Sequence, residues 1–276
     1  MQYIDVHDTA FVTAYFRSLY KDVSQDKYAS IWIRESTKKW ADEYCRLVSE
    51  WEPILHCIRN RYFLDKLTEI SKAEDFLLIN IGAGFSMYPQ TLKASITTIE
   101  ADLKDIIAFK KNKVVKSVAE GLLPARQLYF SACDITAHDG LTQLKEQINQ
   151  LKGTHKLIIL IEGVLFFLEK ENIKNLFNFC NTIQKQGDLL FSVSYDKAIE
   201  EKDVFYRLKN YFEINLSSRN NPYTTLKPPF YSALNNYSLL EHTSGYDYGL
   251  QLQVINDAAE TELLNENFFT LKKMRN

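Results

Sequence analysis

Cysteine is sparse and unpaired in this sequence. Its four cysteines, Cys45, Cys57, Cys133 and Cys180, are scattered with no Cys-x-x-Cys pair, which argues against a disulfide framework and a zinc ribbon. They read as reduced, mostly buried thiols of a cytoplasmic protein. The five histidines form no His-x-x-x-His or similar cluster, so no metal site is expected. Charge of either sign is not in excess: the formal net charge is −2 with a pI near 6.2, and no global field would draw the chain to nucleic acid or an anionic membrane. Long apolar runs are missing too. The candidates Leu157–Leu168 and Leu189–Val193 are too short for a membrane span, and Glu162 interrupts the first. Residues 1–8 carry early acids and no basic stretch, so no secretory signal is expected.

What is present is the composition of a folded protein: 276 residues, 46% apolar, 13% aromatic and 25% charged. Residues 9–71 are rich in helix formers and aromatics. Rows such as Phe11, Ala14, Tyr15 and Leu19, then Ala41, Tyr44, Leu47, Trp51 and Leu55, recur at helical spacing. Residues 1–72 are expected to form an N-terminal helical cap, and residues 73–276 the domain that binds the ligand.

From Phe76 the texture changes to short apolar runs: 76–81, 96–99, 127–131, 157–161 and 189–193. Stretches 103–118, 141–151 and 170–184 between them are long enough for crossover helices. This alternation specifies an α/β fold, a doubly wound and mainly parallel sheet with helices on both faces. Two later runs, 237–243 and 250–255, joined by the turn-like Ser-Gly-Tyr-Asp-Tyr-Gly, predict a C-terminal hairpin. Residues 196–236, with Asn220, Asn221, Pro222, Pro228 and Pro229 among aromatics, read as an insertion over a site.

The first strand runs into Gly82-Ala83-Gly84. In an open α/β sheet, ligands bind at the carboxyl ends of the strands, and the first β-α turn usually takes part. Glycine allows the tight turn and lets a ligand approach the backbone. A dinucleotide fingerprint would want a third glycine at position 87, where this chain has Met87. Asp102, at the end of the second strand with Glu100, stands where a carboxylate commonly receives ribose hydroxyls. Asp134 and Glu162 end the third and fourth strands. A two-glycine turn with acids at successive strand ends fits S-adenosylmethionine better than NAD.

Taken together, Asn60-Arg61-Tyr62-Phe63, Asn80-Ile81-Gly82-Ala83-Gly84, Glu100-Ala101-Asp102-Leu103, Cys133-Asp134-Ile135 and Glu162-Gly163-Val164-Leu165-Phe166-Phe167-Leu168 resemble the leucine carboxyl methyltransferase family. That family belongs to the class I S-adenosylmethionine-dependent methyltransferases and includes bacterial small-molecule O-methyltransferases. The resemblance spans roughly residues 9–190. It implies a Rossmann-like class I methyltransferase sheet, S-adenosylmethionine as cofactor and S-adenosylhomocysteine as product. It further implies that Arg61 pairs with the cofactor's carboxylate, Gly82 and Gly84 shape its bed and Asp102 binds the ribose, with Ala83 and Glu100 also among the cofactor-binding residues. Asp134 and Ile135 would hold the adenine and Glu162 the ammonium. Where many members continue the turn with Asp-Thr-Arg or similar, this chain has Ser86-Met87-Tyr88, and Arg17 sits only approximately at an N-terminal basic position of the family.

The reaction implied is O-methylation of a small-molecule carboxylate or hydroxyl. A protein C-terminal carboxylate as acceptor, and a non-catalytic cofactor-binding member, are the alternatives; a protein substrate or a second copy of the chain stays open as a partner. A carboxylate, ionised at neutral pH, needs no general base, whereas a phenol would benefit from one. No catalytic residue is assigned, and His138, His155 and His242 are candidates by type only. Phe166, Phe167, Tyr195, Tyr223, Phe230 and Tyr231 are candidate walls of an acceptor pocket.

Overall fold

The computed structural model describes residues 6–215 and 221–274. Asn220 and residues 1–5 of the sequence reading lie outside them. Helices α1 (Val6–Leu19), α2 (Lys21–Ser24), α3 (Glu35–Leu47) and α4 (Glu52–Ala73) precede the sheet. Then follow β1 (Phe76–Ile81), α5 (Tyr88–Thr91), β2 (Thr97–Asp102), α6 (Lys104–Ala119), β3 (Leu128–Ala132), α7 (His138–Leu151) and β4 (Lys156–Ile161). The chain continues through α8 (Lys170–Ile183), β5 (Leu189–Tyr195), α9 (Asp203–Asn215), α10 (Pro229–Ser232), β6 (Tyr237–Ser244), α11 (Gly245–Gln251) and β7 (Glu266–Lys273).

The strands form one seven-stranded sheet in the order β3-β2-β1-β4-β5-β7-β6. The first five pair in parallel, and β7 runs antiparallel to both β5 and β6. Every residue of β1 is buried, as a central strand covered on both faces requires. Its alternate residues feed two cores: Phe76 and Leu78 join Phe16, Ile58, Tyr62 and Phe63 of the N-terminal helices, while Leu77, Ile79 and Ile81 join Leu176 and Phe177 of α8. The N-terminal helices thus share a core with the sheet. Strand order reverses between β1 and β4, and a ligand cleft is expected at their carboxyl ends.

The expected hairpin is corrected in its second strand. β6 is the first, but residues 250–255 are not its partner; β7 is, in the register Thr243 to Phe268. Ser244 caps α11 by accepting from the Asp247 N–H at 3.0 Å, so the presumed turn continues into helix. Gly249 then lies against Ile255 and Ile58, where an added Cβ would stand 2.4 Å from Ile255 Cδ1. Of this run only Ile255 is fully buried, beneath α11.

All four cysteines are free. Burial pushes the thiols of Cys45, Cys57 and Cys133 up to about 12, which leaves them unreactive at neutral pH. Among the described residues no group of three or more potential ligands could hold a metal, and no helix is long and apolar enough to cross a membrane.

Candidate active site

Gly82 and Gly84 adopt φ of +68° and +42°, in the left-handed region that favours glycine. The N–H groups of Gly82 and Ala83 both donate to the Ala101 carbonyl, at 2.9 and 3.1 Å, which ties the turn to the end of β2. At Gly82 an added Cβ would fall 2.0 Å from Val164 Cγ1. Close packing of the turn against the loop after β4 therefore demands this glycine.

Ser86 braces the turn from inside, donating to the Ala83 carbonyl at 2.9 Å and accepting from Asn80 Nδ2 at 2.8 Å. Met87 is buried and receives the Trp32 indole N–H at 3.3 Å. The missing third glycine is thus explained: position 87 packs against the N-terminal segment, and only the short α5 follows.

The turn opens into a cleft of about 470 Å³ at the carboxyl ends of β1, β2, β3 and β4. Gly82, Ala83, Gly84, Asp102, Asp134, Ile135 and Glu162 all line it. Asp102 accepts the Gly84 N–H through Oδ2 and the Leu103 N–H through Oδ1, both at 2.7 Å. Asp134 uses Oδ1 for the N–H and hydroxyl of Thr136, at 2.9 and 2.6 Å. Glu162 is held between the Arg59 Nε donor at 2.8 Å and the Tyr88 hydroxyl at 2.6 Å. Burial beside this carboxylate drives the Tyr88 hydroxyl well above its ordinary pKa, so it stays a donor.

Two expected residues are placed elsewhere. Arg61 does not line the cleft; it is half-buried and donates to Asp65 at 2.7 Å, one helical turn along α4. Arg59 takes the cleft-facing position, because residues two apart on a helix point in widely different directions. Its Nη1 also donates to both oxygens of Glu266 at 2.8 Å, and the two carboxylates raise its pKa against the opposing effect of burial. Glu100 lies beneath the turn, not in the cleft. It is fully buried and accepts from Lys110 Nζ at 2.7 Å, and the same ammonium reaches the Ala83 carbonyl at 3.3 Å. Arg17 lines the cleft, donating to Asp26 at 3.0 Å and to the Phe85 carbonyl at 2.8 Å.

Beside the cleft is a smaller chamber of about 110 Å³. Thr9, Thr13, Arg59, Gly163 and Phe167 line both spaces. The chamber is walled by aromatics, among them Phe16, Trp40, Tyr44, Phe166, Tyr195 and Phe212. Of the expected walls, Phe166, Phe167 and Tyr195 line it, and Tyr223 packs behind Phe166 and Phe212. Phe230 and Tyr231 do not: they pack against Phe177 in the other core.

The chamber also holds a polar group that sequence reasoning did not identify. Glu52 accepts the Tyr44 hydroxyl at 2.8 Å and lies 3.6 Å from His56 Nε2. Burial pushes the Glu52 carboxyl up to about 7 and His56 down to about 3. The available signal was the spacing of Glu52, His56 and Arg59, which puts three polar residues on one face of α4. His138, His155 and His242 line neither space.

Comparison with curated protein sequences gives no match. Among solved structures, a protein of Thermobifida fusca YX provisionally designated a methyltransferase superposes with a TM-score of 0.67 at 12% identity, over 87% of this chain and 89% of that one. A DUF574 family protein from Streptomyces avermitilis gives 0.66 at 12% identity, over 96% and 97%. An O-methyltransferase family protein from Burkholderia thailandensis gives 0.51 at 8% identity, over 96% of this chain and 72% of that one. These likenesses establish the fold as that of the class I Rossmann-like methyltransferases. The family model described as leucine carboxyl methyltransferase matches residues 9–181, the stretch from α1 through α8 that builds most of the cleft. The chain belongs to the leucine carboxyl methyltransferase family, as a methyltransferase with S-adenosylmethionine for its cofactor.

Proposed function

We propose that this protein is an O-methyltransferase of small molecules, with the cofactor in the larger cleft and the acceptor in the aromatic chamber beside it. The observation that carries this reading is the junction of the two spaces at Thr9, Thr13, Arg59, Gly163 and Phe167. A methyl donor and its acceptor must meet in line, and the five residues common to both walls put the two spaces side by side.

The cleft fits the cofactor by volume and by chemistry. Ligand sites of this kind span roughly 300–1,000 Å³, and about 470 Å³ is present here. Asp102, fixed by two backbone N–H donors, is placed for ribose hydroxyls, and the Asp134–Ile135 pair for adenine. Glu162 offers a carboxylate for an ammonium. For the cofactor's carboxylate the chain provides Arg17 beside the glycine turn, with one carboxylate partner, whereas Arg59 already serves two. When bound, S-adenosylmethionine supplies an electrophilic methyl group on a sulfonium.

The remaining contribution of the chain is orientation and exclusion of water, which the apolar walls of the chamber provide. A space of only about 110 Å³, walled by aromatic rings, suits a small acceptor better than the end of a polypeptide. The test is a mass-spectrometric screen of small oxygen acceptors against peptides with a C-terminal leucine, run alongside calorimetric binding of S-adenosylmethionine. Methylation of small acceptors, with cofactor binding lost in Asp102→Ala, is expected. Turnover of the peptides alone would overturn the assignment of the acceptor.

A further inference from the structure

The charge balance of the chamber is unusual for a site that would take an acid. Two carboxylates, Glu52 and Glu266, face it with one cation, Arg59. That guanidinium is already bonded to Glu266 and Glu162. Glu52 is 2% exposed, and among the described residues no lysine or arginine lies within bonding distance of it. Its neighbours are Tyr44 from α3, His56 and, further along α4, Arg59; Tyr195 from β5 faces the same group. His56 is held neutral by burial, and the two tyrosines, raised well above their ordinary values, are uncharged.

A buried carboxylate is costly unless a cation or several donors meet it. Tyr44 supplies one donor. The rings of Phe16, Trp40, Tyr44 and Tyr211 line the same chamber as Glu52, and the Tyr211 hydroxyl is itself buried with no partner. Aromatic faces beside a buried carboxylate are the chemistry that recognises an ammonium. About 110 Å³ is less than the roughly 150 Å³ apolar cavity that takes one benzene, so the chamber holds no more than one ring and the rest of such an acceptor extends toward the cleft.

We propose that the chamber selects an acceptor bearing a protonated amine, a one-ring aralkylamine whose ammonium lodges between Glu52 and the surrounding rings while its neutral hydroxyl faces the cofactor cleft. This rests on the reading of the chamber as the acceptor site. An ammonium supplies the missing countercharge and several donors at once. A carboxylate acceptor would instead meet Glu52 and Glu266 with no unmatched cation.

The proposal is tested by binding, without turnover. Calorimetry at pH 8, where Glu52 is ionised, measures 2-phenylethylamine, 2-phenylethanol and phenylacetate against the protein saturated with S-adenosylhomocysteine. The amine is expected to bind at least tenfold more tightly than the alcohol or the acid. Glu52→Gln should remove that preference with S-adenosylhomocysteine affinity unchanged. Trp40→Leu should weaken the amine by severalfold more than the alcohol, and it answers the question should Glu52→Gln fail to fold. Equal binding of amine and alcohol, a preference for the acid, or a preference that survives both substitutions overturns the proposal. If S-adenosylhomocysteine binds and no amine does, this inference alone falls; if S-adenosylhomocysteine does not bind, the proposed function falls with it.

Discussion

Lys110 donates from its ammonium to Glu100 at 2.7 Å, with both side chains almost wholly buried. The pair lies beneath the glycine turn, because the same ammonium holds the Ala83 carbonyl. Burial drives both partners toward their neutral forms, and their mutual contact opposes that drive. Removing one member of a buried pair leaves a bare charge, at a cost of about 3–5 kcal/mol. Lys110→Ala should therefore destabilise the fold by about that amount in urea denaturation and loosen the cofactor's bed. The double change Lys110→Met with Glu100→Gln should recover most of the loss. A single-variant loss below about 1 kcal/mol would show that the pair is not needed.

The glycine turn gives a second comparison. Gly82→Ala meets Val164 at 2.0 Å and a φ of +68°, so overpacking of about 1–3 kcal/mol adds to a left-handed penalty of about 1–2 kcal/mol. Gly153→Ala, at φ +45° with nothing within 4 Å, carries the backbone penalty alone. Thermal melts of the two should differ by several degrees, with cofactor affinity reduced only in the first.

Arg59 and Arg61 separate the sequence reading from the structural one. Arg59→Met strands Glu162 and Glu266, both largely buried. It should lose several kcal/mol of stability and at least tenfold in S-adenosylmethionine affinity. Arg61→Met removes a partly exposed pair with Asp65, worth under about 1 kcal/mol, and affinity should not change. Parallel titrations decide, and the reverse ranking would restore Arg61 to the site.

Glu52 makes a prediction about pH. Its carboxyl is raised to about 7 from an ordinary value of 4.5, so between those values the folded chain holds a proton that the unfolded chain has released. Stability contributed by this group is present below about pH 4.5 and is lost as pH rises to about 7. The loss is roughly 3 kcal/mol at full extent. Wild type minus Glu52→Gln, measured in urea at pH 5 and pH 8, should therefore fall with pH. A flat difference would mean that the carboxyl titrates normally.

Much of the scaffold was legible in the sequence, and the reasons are local. β1 matches the expected 76–81 run because a strand buried on both faces must be apolar throughout. The acids at strand ends were legible because loops at the carboxyl edge of a parallel sheet converge on one cleft. β2 ends at Asp102, where the strand end was expected, and so places Glu100 and Asp102 on the same side of the strand. One ends under the turn and the other in the cleft. The hairpin misled because Leu250-Gln251-Leu252-Gln253 alternates apolar and polar residues as a strand does, whereas the chain there closes α11 and buries only Ile255.

The sequence by itself determined the order of the main strands and helices from β1 to β5, the glycine turn and the acids that follow it, since these depend on short-range periodicity and on the backbone freedom of glycine. Only the tertiary structure decided which arginine of α4 faces the cleft, that Lys110 neutralises Glu100, and that Glu52 and His56 share a chamber with aromatics from α1, α3, the segment after β4, and α9. Those relations join residues on different elements of the fold. A buried charge is matched by whatever the packing of helices on a sheet brings within a few ångströms, and no local pattern records that partner.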